Sequence, residues 1–199
     1  MATPTISISW GKAGDNKWQK LGGPCDVCGP DGCDHTHAPT GLEQSLEEME
    51  FTRSACNHAL NGEADKLRNC IERNAGCVYH DGAGGSSGYT PLHYAARGGH
   101  AACVTLLLQA RASVLARTQG GATPLMRAAF AGHADVCTLL LRAGSAAEAQ
   151  DADGETAAHK AAAQRQDATL AVLLKAAPGA AELRNRHSKT PSELRAERG

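Results

Sequence analysis

The chain has 199 residues, 42% hydrophobic but only 4% aromatic, with a formal net charge of −1. A core this poor in aromatics must be built from Ala, Leu and Val, which suits closely packed small helices and not a β-sandwich. The near-neutral charge provides no field to draw the chain onto nucleic acid or an anionic membrane, and no apolar run approaches the ~18 residues of a membrane span.

The opening MATPTISISW lacks the basic and apolar regions of a secretory signal. A soluble cytoplasmic protein is therefore expected, with nucleus or cilium left open. In that setting the eight cysteines are read as reduced thiols or metal ligands, not as a disulfide framework.

Residues 1–39 show no periodicity and read as a flexible N-terminal segment. Trp10 and Trp18 lie in a Gly/Lys/Asn-rich stretch, where they serve either as short-motif anchors or as groups that fold back on the rest of the chain. The stretch CDVCGPDGCDHTH carries the metal chemistry. Cys25 and Cys28 have the C-x-x-C spacing that lets two thiolates bind one ion, and Cys33 with His35 or His37 could complete a tetrahedral site. Three readings stay open: one structural zinc, an unliganded flexible segment, or thiol redox chemistry.

A capping box, Thr40 with Glu43, then opens an acidic helix expected over 40–51, with Leu42, Leu46 and Met49 at helical spacing. It acts either as a cap on the end of the domain that begins near residue 51 or as a helix that docks a partner.

From residue 51 onward the chain repeats. Thr90, Thr123 and Thr156 recur at intervals of 33, as do Gly88, Gly121 and Gly154, and His100 lies the same interval before His133. The apolar triplets Leu106–Leu108, Leu139–Leu141 and Val172–Leu174 keep that period too. Each unit reads as two helices. Pro91 suits a first turn, and Leu92, Ala95 and Ala96 share one face. A break at Gly98-Gly99 precedes a second stripe of Val104, Leu107 and Leu108. Polar, often Gly-punctuated loops join the units.

No unit buries two stripes alone, so neighbours must stack. Cys103 and Cys137 read as small apolar core residues, since Cys and Val exchange places between units. GAGGSSG (82–88) follows no buried strand and precedes no Lys, so it reads as a lengthened loop and not a phosphate cradle.

GYTPLHYAARGGH and GATPLMRAAFAGH resemble the signature of ankyrin repeats. The resemblance covers about residues 51–194 and implies an all-α ankyrin-repeat solenoid with β-hairpin-like finger loops. Its four repeats would be about 51–87, 88–120, 121–153 and 154–187, within a domain of 52–194, followed by a partial cap at 188–199.

It also implies that His93 and His159 are structural staples bonded to Thr90 and Thr156, with Met126 breaking the series. Two departures carry expected consequences. Arg111 stands where the next unit has Gly144, at an expected cost of about 1 kcal/mol. Arg165-Gln166 replace Gly-His, so a less regular turn is expected there.

Mapping the family's variable positions onto this chain gives a partner-binding row on a concave groove: Tyr89, Tyr94 and Arg97, then Gln119, Arg127 and Phe130. Asp153, Glu155, Lys160 and Gln164 come next, and Arg186 with Lys189 closes the row. For Tyr94 and Phe130 packing between neighbouring helices is the competing reading.

No nucleophile, base and orienting group assemble from these motifs, so the chain is read as non-enzymatic. Its expected function is protein–protein interaction, as an adaptor or subunit of a larger assembly, with no nucleic acid, membrane or small-molecule substrate. The alternative assigns the function to a zinc or thiol site in the head, with the repeats as its mount.

Overall fold

The computed structural model describes residues 54–79 and 87–197. The segment 1–39, the expected capping helix 40–51 and the GAGGSSG loop up to residue 86 lie outside them.

Nine α-helices run through the described residues, with no strands. They pair as α1 (Ala55–Asn61) with α2 (Ala64–Arg73), α3 (Pro91–Gly98) with α4 (Ala101–Gln109), α5 (Pro124–Ala131) with α6 (Ala134–Arg142), and α7 (Ala157–Ala163) with α8 (Asp167–Ala176). A final helix, α9 (Pro191–Glu197), packs on α7 as the first helix of a further unit would. First helices stack in one row, α1 on α3 on α5 on α7 on α9, and second helices in another, α2 on α4 on α6 on α8.

The stacking buries the stripes read from the sequence. Leu92, Ala95 and Ala96 of α3 are fully buried, as are Leu125, Ala128 and Ala129 of α5. Ala at the inner positions lets the first helices approach closely, while Leu107, Leu140 and Leu173 fill the space between rows. Leu108 is half-buried against that core. Cys103 and Cys137 are buried within it, and burial pushes the Cys137 thiol up to about 12, so it behaves as a small hydrophobe.

The finger loops are hairpin-like turns. Thr118 N–H donates to the Ala122 carbonyl, Asp151 to Glu155 and Asn185 to Lys189, each at 3.0 Å. Single backbone bonds link successive fingers: Gln119 to Ser87, Ala152 to Gly120 and Arg186 to Asp153.

Side chains add a second ladder, with Arg117 donating to the Gln150 carbonyl (2.9 Å) and Gln150 to that of Arg184 (3.3 Å). On the opposite edge of the units His100 bonds the Leu60 carbonyl (2.9 Å) and His133 that of Arg97 (3.1 Å). The His133 ring covers Gly99, where any Cβ would lie 2.5 Å from it and where φ is +75°. Glycine is required there by both space and backbone.

Among the described residues three non-glycines take the left-handed conformation: Arg111 (φ 61°), Arg165 (φ 57°) and Ser188 (φ 58°). Arg111 occupies the helix-end position that Gly144 fills at φ 90°. Arg165 does the same in the mid-repeat turn, where α7 ends at Ala163 instead of running on to a left-handed glycine cap. Ser188 stands in the place of Gly88, Gly121 and Gly154, in a fourth unit one residue longer than its neighbours.

Candidate partner-binding groove

The first helices begin at Thr-Pro-Leu-His or its variants, and the geometry there fixes the role of His93. Its Nδ1 accepts the Thr90 N–H at 3.1 Å and lies 2.9 Å from the Thr90 hydroxyl. An accepting Nδ1 leaves the proton on Nε2, which donates to the Ala122 carbonyl of the next unit at 3.1 Å.

The ring is fully buried, and burial pulls its pKa down to about 4, so it is neutral at pH 7. His159 repeats the arrangement, bonding Thr156 at 3.2 Å and the Lys189 carbonyl at 3.1 Å. In the unit between them Met126 Sδ accepts the Thr123 N–H at 3.4 Å, but a thioether has no proton to donate onward. These histidines are staples between units.

The same helices carry the groove residues outward. Tyr89 and Tyr94 are half-buried and stack with ring centroids 5.4 Å apart. The Arg127 guanidinium, from the following unit, lies over the Tyr89 ring at 4.9 Å. The Arg127 side chain makes no hydrogen bond or ion pair among the described residues, and its Nε is buried without a partner.

Phe130, one turn further along α5, is 44% exposed. Tyr94 is partly buried against the core, as the packing reading has it. Arg97, Gln119, Asp153, Gln164 and Arg186 are exposed, and Lys189 is held by Glu197 at 2.5 Å.

A cleft of about 310 Å3 between the third and fourth units brings together six of the expected residues: Arg127, Phe130, Asp153, Glu155, Lys160 and Gln164. Lys160 is already engaged, bonding Asp151 at 2.8 Å and Glu155 at 2.6 Å. Burial works against its charge, yet the two carboxylates outweigh it and hold the Lys160 pKa above the ordinary value. Burial likewise pushes Asp151 up, but the bonds from Lys160 and from the Glu155 and Asp153 N–H groups leave it below the usual carboxylate range.

Asp151 was not among the residues read from the sequence. Its signal was local, an Asp two residues ahead of Asp153 at a finger turn, where such side chains cap backbone N–H groups. The cluster Cys25, Cys28, Cys33, His35 and His37 lies outside the described residues, and among the described ones no three His, Cys, Asp or Glu side chains gather as a metal site would need. No described helix is long and apolar enough to cross a membrane.

The paired helices, the stacked rows and the Thr–His staples define an ankyrin-repeat stack, and residues 55–151 match the family model of ankyrin repeats (3 copies). Over 96 residues it is 38% identical to ankyrin repeat domain-containing protein 39 of Homo sapiens, covering 48% of this chain and 46% of the relative. Over 78 residues it is 39% identical to the Bos taurus protein of that name, covering 39% of this chain and 37% of the relative. The match thus spans less than half the length of these curated relatives. Ankyrin repeats are in general protein–protein interaction modules.

Proposed function

We propose that this chain is a non-enzymatic binding module, an adaptor or subunit of a larger assembly, whose protein partner lies along the groove made by the first helices and the finger loops. The observation that carries the reading is Phe130. Its ring, 44% exposed on a first helix, opens onto the cleft that Arg127 also lines, which puts an aromatic and an arginine side by side in one concave surface.

Arg127, which lines the same cleft, and the Tyr89 ring it lies over are residue types that dominate binding energy when desolvated. The second helices offer no comparable aromatic. The test is affinity capture from cells on three full-length baits: wild type, Tyr89/Arg127/Phe130→Ala, and Arg142/Lys175→Ala on the second-helix face. The groove variant loses partners that the other two retain. Equal capture by all three would place the binding surface elsewhere.

A further inference from the structure

Arg127 is prepared for a ligand that the described residues do not supply. Its guanidinium is held over the Tyr89 ring at 4.9 Å, and its Nε is buried without an acceptor. Arg127 also lines the cleft, and no hydrogen bond or ion pair among the described residues satisfies its guanidinium. A buried donor left unmade costs about 1–3 kcal/mol, and a fixed guanidinium fork matches a carboxylate in two parallel bonds.

The other cation of the cleft is spoken for, because Lys160 is bonded by both Asp151 and Glu155. Resting on the proposed groove, we infer that Arg127 is the receptor for a single carboxylate of the partner, carried next to an apolar side chain that packs on Phe130.

The charge around the site decides which anion fits. Two cations, Arg127 and Lys160, face three carboxylates, Asp151, Asp153 and Glu155, across the same cleft. A polyanion such as a nucleic-acid strand or a run of acidic residues meets net repulsion there, whereas one carboxylate placed at Arg127 does not. Phe130 lies three residues on from Arg127 along α5, so it presents its ring on the same side of the helix. The recognised element is therefore a short peptide segment with one Asp, Glu or C-terminal carboxylate beside an aliphatic or aromatic residue.

The probe is a display library of random 12-residue peptides selected on the full chain. The selected peptides are then resynthesised with free and with amidated C-termini, and their affinities measured by fluorescence anisotropy. Peptides with a carboxylate next to an apolar residue are expected. Arg127→Lys, which keeps the charge and loses the fork, weakens them about tenfold or more, while Arg142→Gln leaves them unchanged.

Loss of binding on amidation identifies a terminal carboxylate, and its persistence a side-chain one; both support the inference. Thermal melting of the Arg127→Lys protein at the wild-type temperature shows that the change acts at the site and not on the fold. Peptides that compete at Phe130 but carry no carboxylate, or that tolerate Arg127→Gln, overturn the inference and leave the groove standing. Selected peptides indifferent to Phe130→Ala and Arg127→Gln alike overturn the groove as well. Arg127-dependent binding of an oligonucleotide in place of peptides also refutes the inference.

Discussion

The Nε2–H of His93 reaches the Ala122 carbonyl at 3.1 Å, joining residues 29 apart in successive units through a fully buried ring whose Nδ1 is held by Thr90. Removing the ring strands the Thr90 N–H and the Ala122 carbonyl in the interior, and each unsatisfied group costs about 1–3 kcal/mol. His93→Ala is expected to lower stability by roughly 3 kcal/mol in urea denaturation. His93→Met, copying what Met126 does in the next unit, retains the local acceptor and costs less. Equal losses for the two would remove the staple from the account.

Because burial holds the His93 pKa near 4, the unfolded chain takes up a proton at this residue below about pH 6.5 that the folded chain refuses. Stability is then highest above about pH 6.5 and falls as the pH drops toward 4, by about 3 kcal/mol from this one group. Denaturation midpoints measured between pH 7 and pH 4 are expected to decline more steeply in the wild type than in His93→Met. Parallel curves would show that the ring is protonated in place.

Arg111 and Arg165 hold left-handed backbone at φ 61° and 57°. Glycine adopts that conformation without a Cβ penalty, as Gly144 does at the position matching Arg111. Arg111→Gly and Arg165→Gly are each expected to raise stability by about 1 kcal/mol, and the double variant by nearly the sum, since the sites share no partners. A fall in melting temperature would mean that the arginine side chains contribute more than their backbone costs.

Much of the stack was legible because its signals are local and periodic. The 33-residue interval, Pro91 in a first turn and the Leu92–Ala95–Ala96 face each follow from spacing alone, and all appear in the helices. The strain at Arg111 was legible by comparison with Gly144. What could not be read were relationships set by how units sit on one another. The stacking of Arg127 on Tyr89 joins residues 38 apart in sequence. The capture of Lys160 by Asp151 depends on a finger folding back over α7, and the bonds from His100 and His133 cross between units whose register only packing decides. Sequence placed Lys160 and Glu155 in the groove row, and the ion pair between them was not legible there.

Lys160→Ala leaves the nearly buried Asp151 carboxylate facing Glu155 with no cation between them. Its pKa rises in consequence. Lys160 and Glu155 keep about a fifth of their side-chain surface in water, which limits the cost to about 1–2 kcal/mol, less than that of a fully buried broken pair. Thermal unfolding at pH 7 checks the magnitude, and recovery of part of the loss near pH 4, where the carboxylates protonate, checks the cause.

Cys25→Ser with Cys28→Ser in the full chain tests whether the N-terminal cysteines matter to binding. Partner capture is expected to remain at the wild-type level, because the proposed groove residues belong to the repeats. Loss of partners, together with about one zinc per chain in the wild type, would move the function to residues 1–39.

The most direct measurement is site-specific photocrosslinking in cells, with a photoreactive phenylalanine analogue at Phe130 in one protein and at Arg142 in another. The account predicts a discrete crosslinked protein partner from position 130 and none from position 142. Crosslinks from position 142 alone would contradict it, and would transfer the binding surface to the second helices.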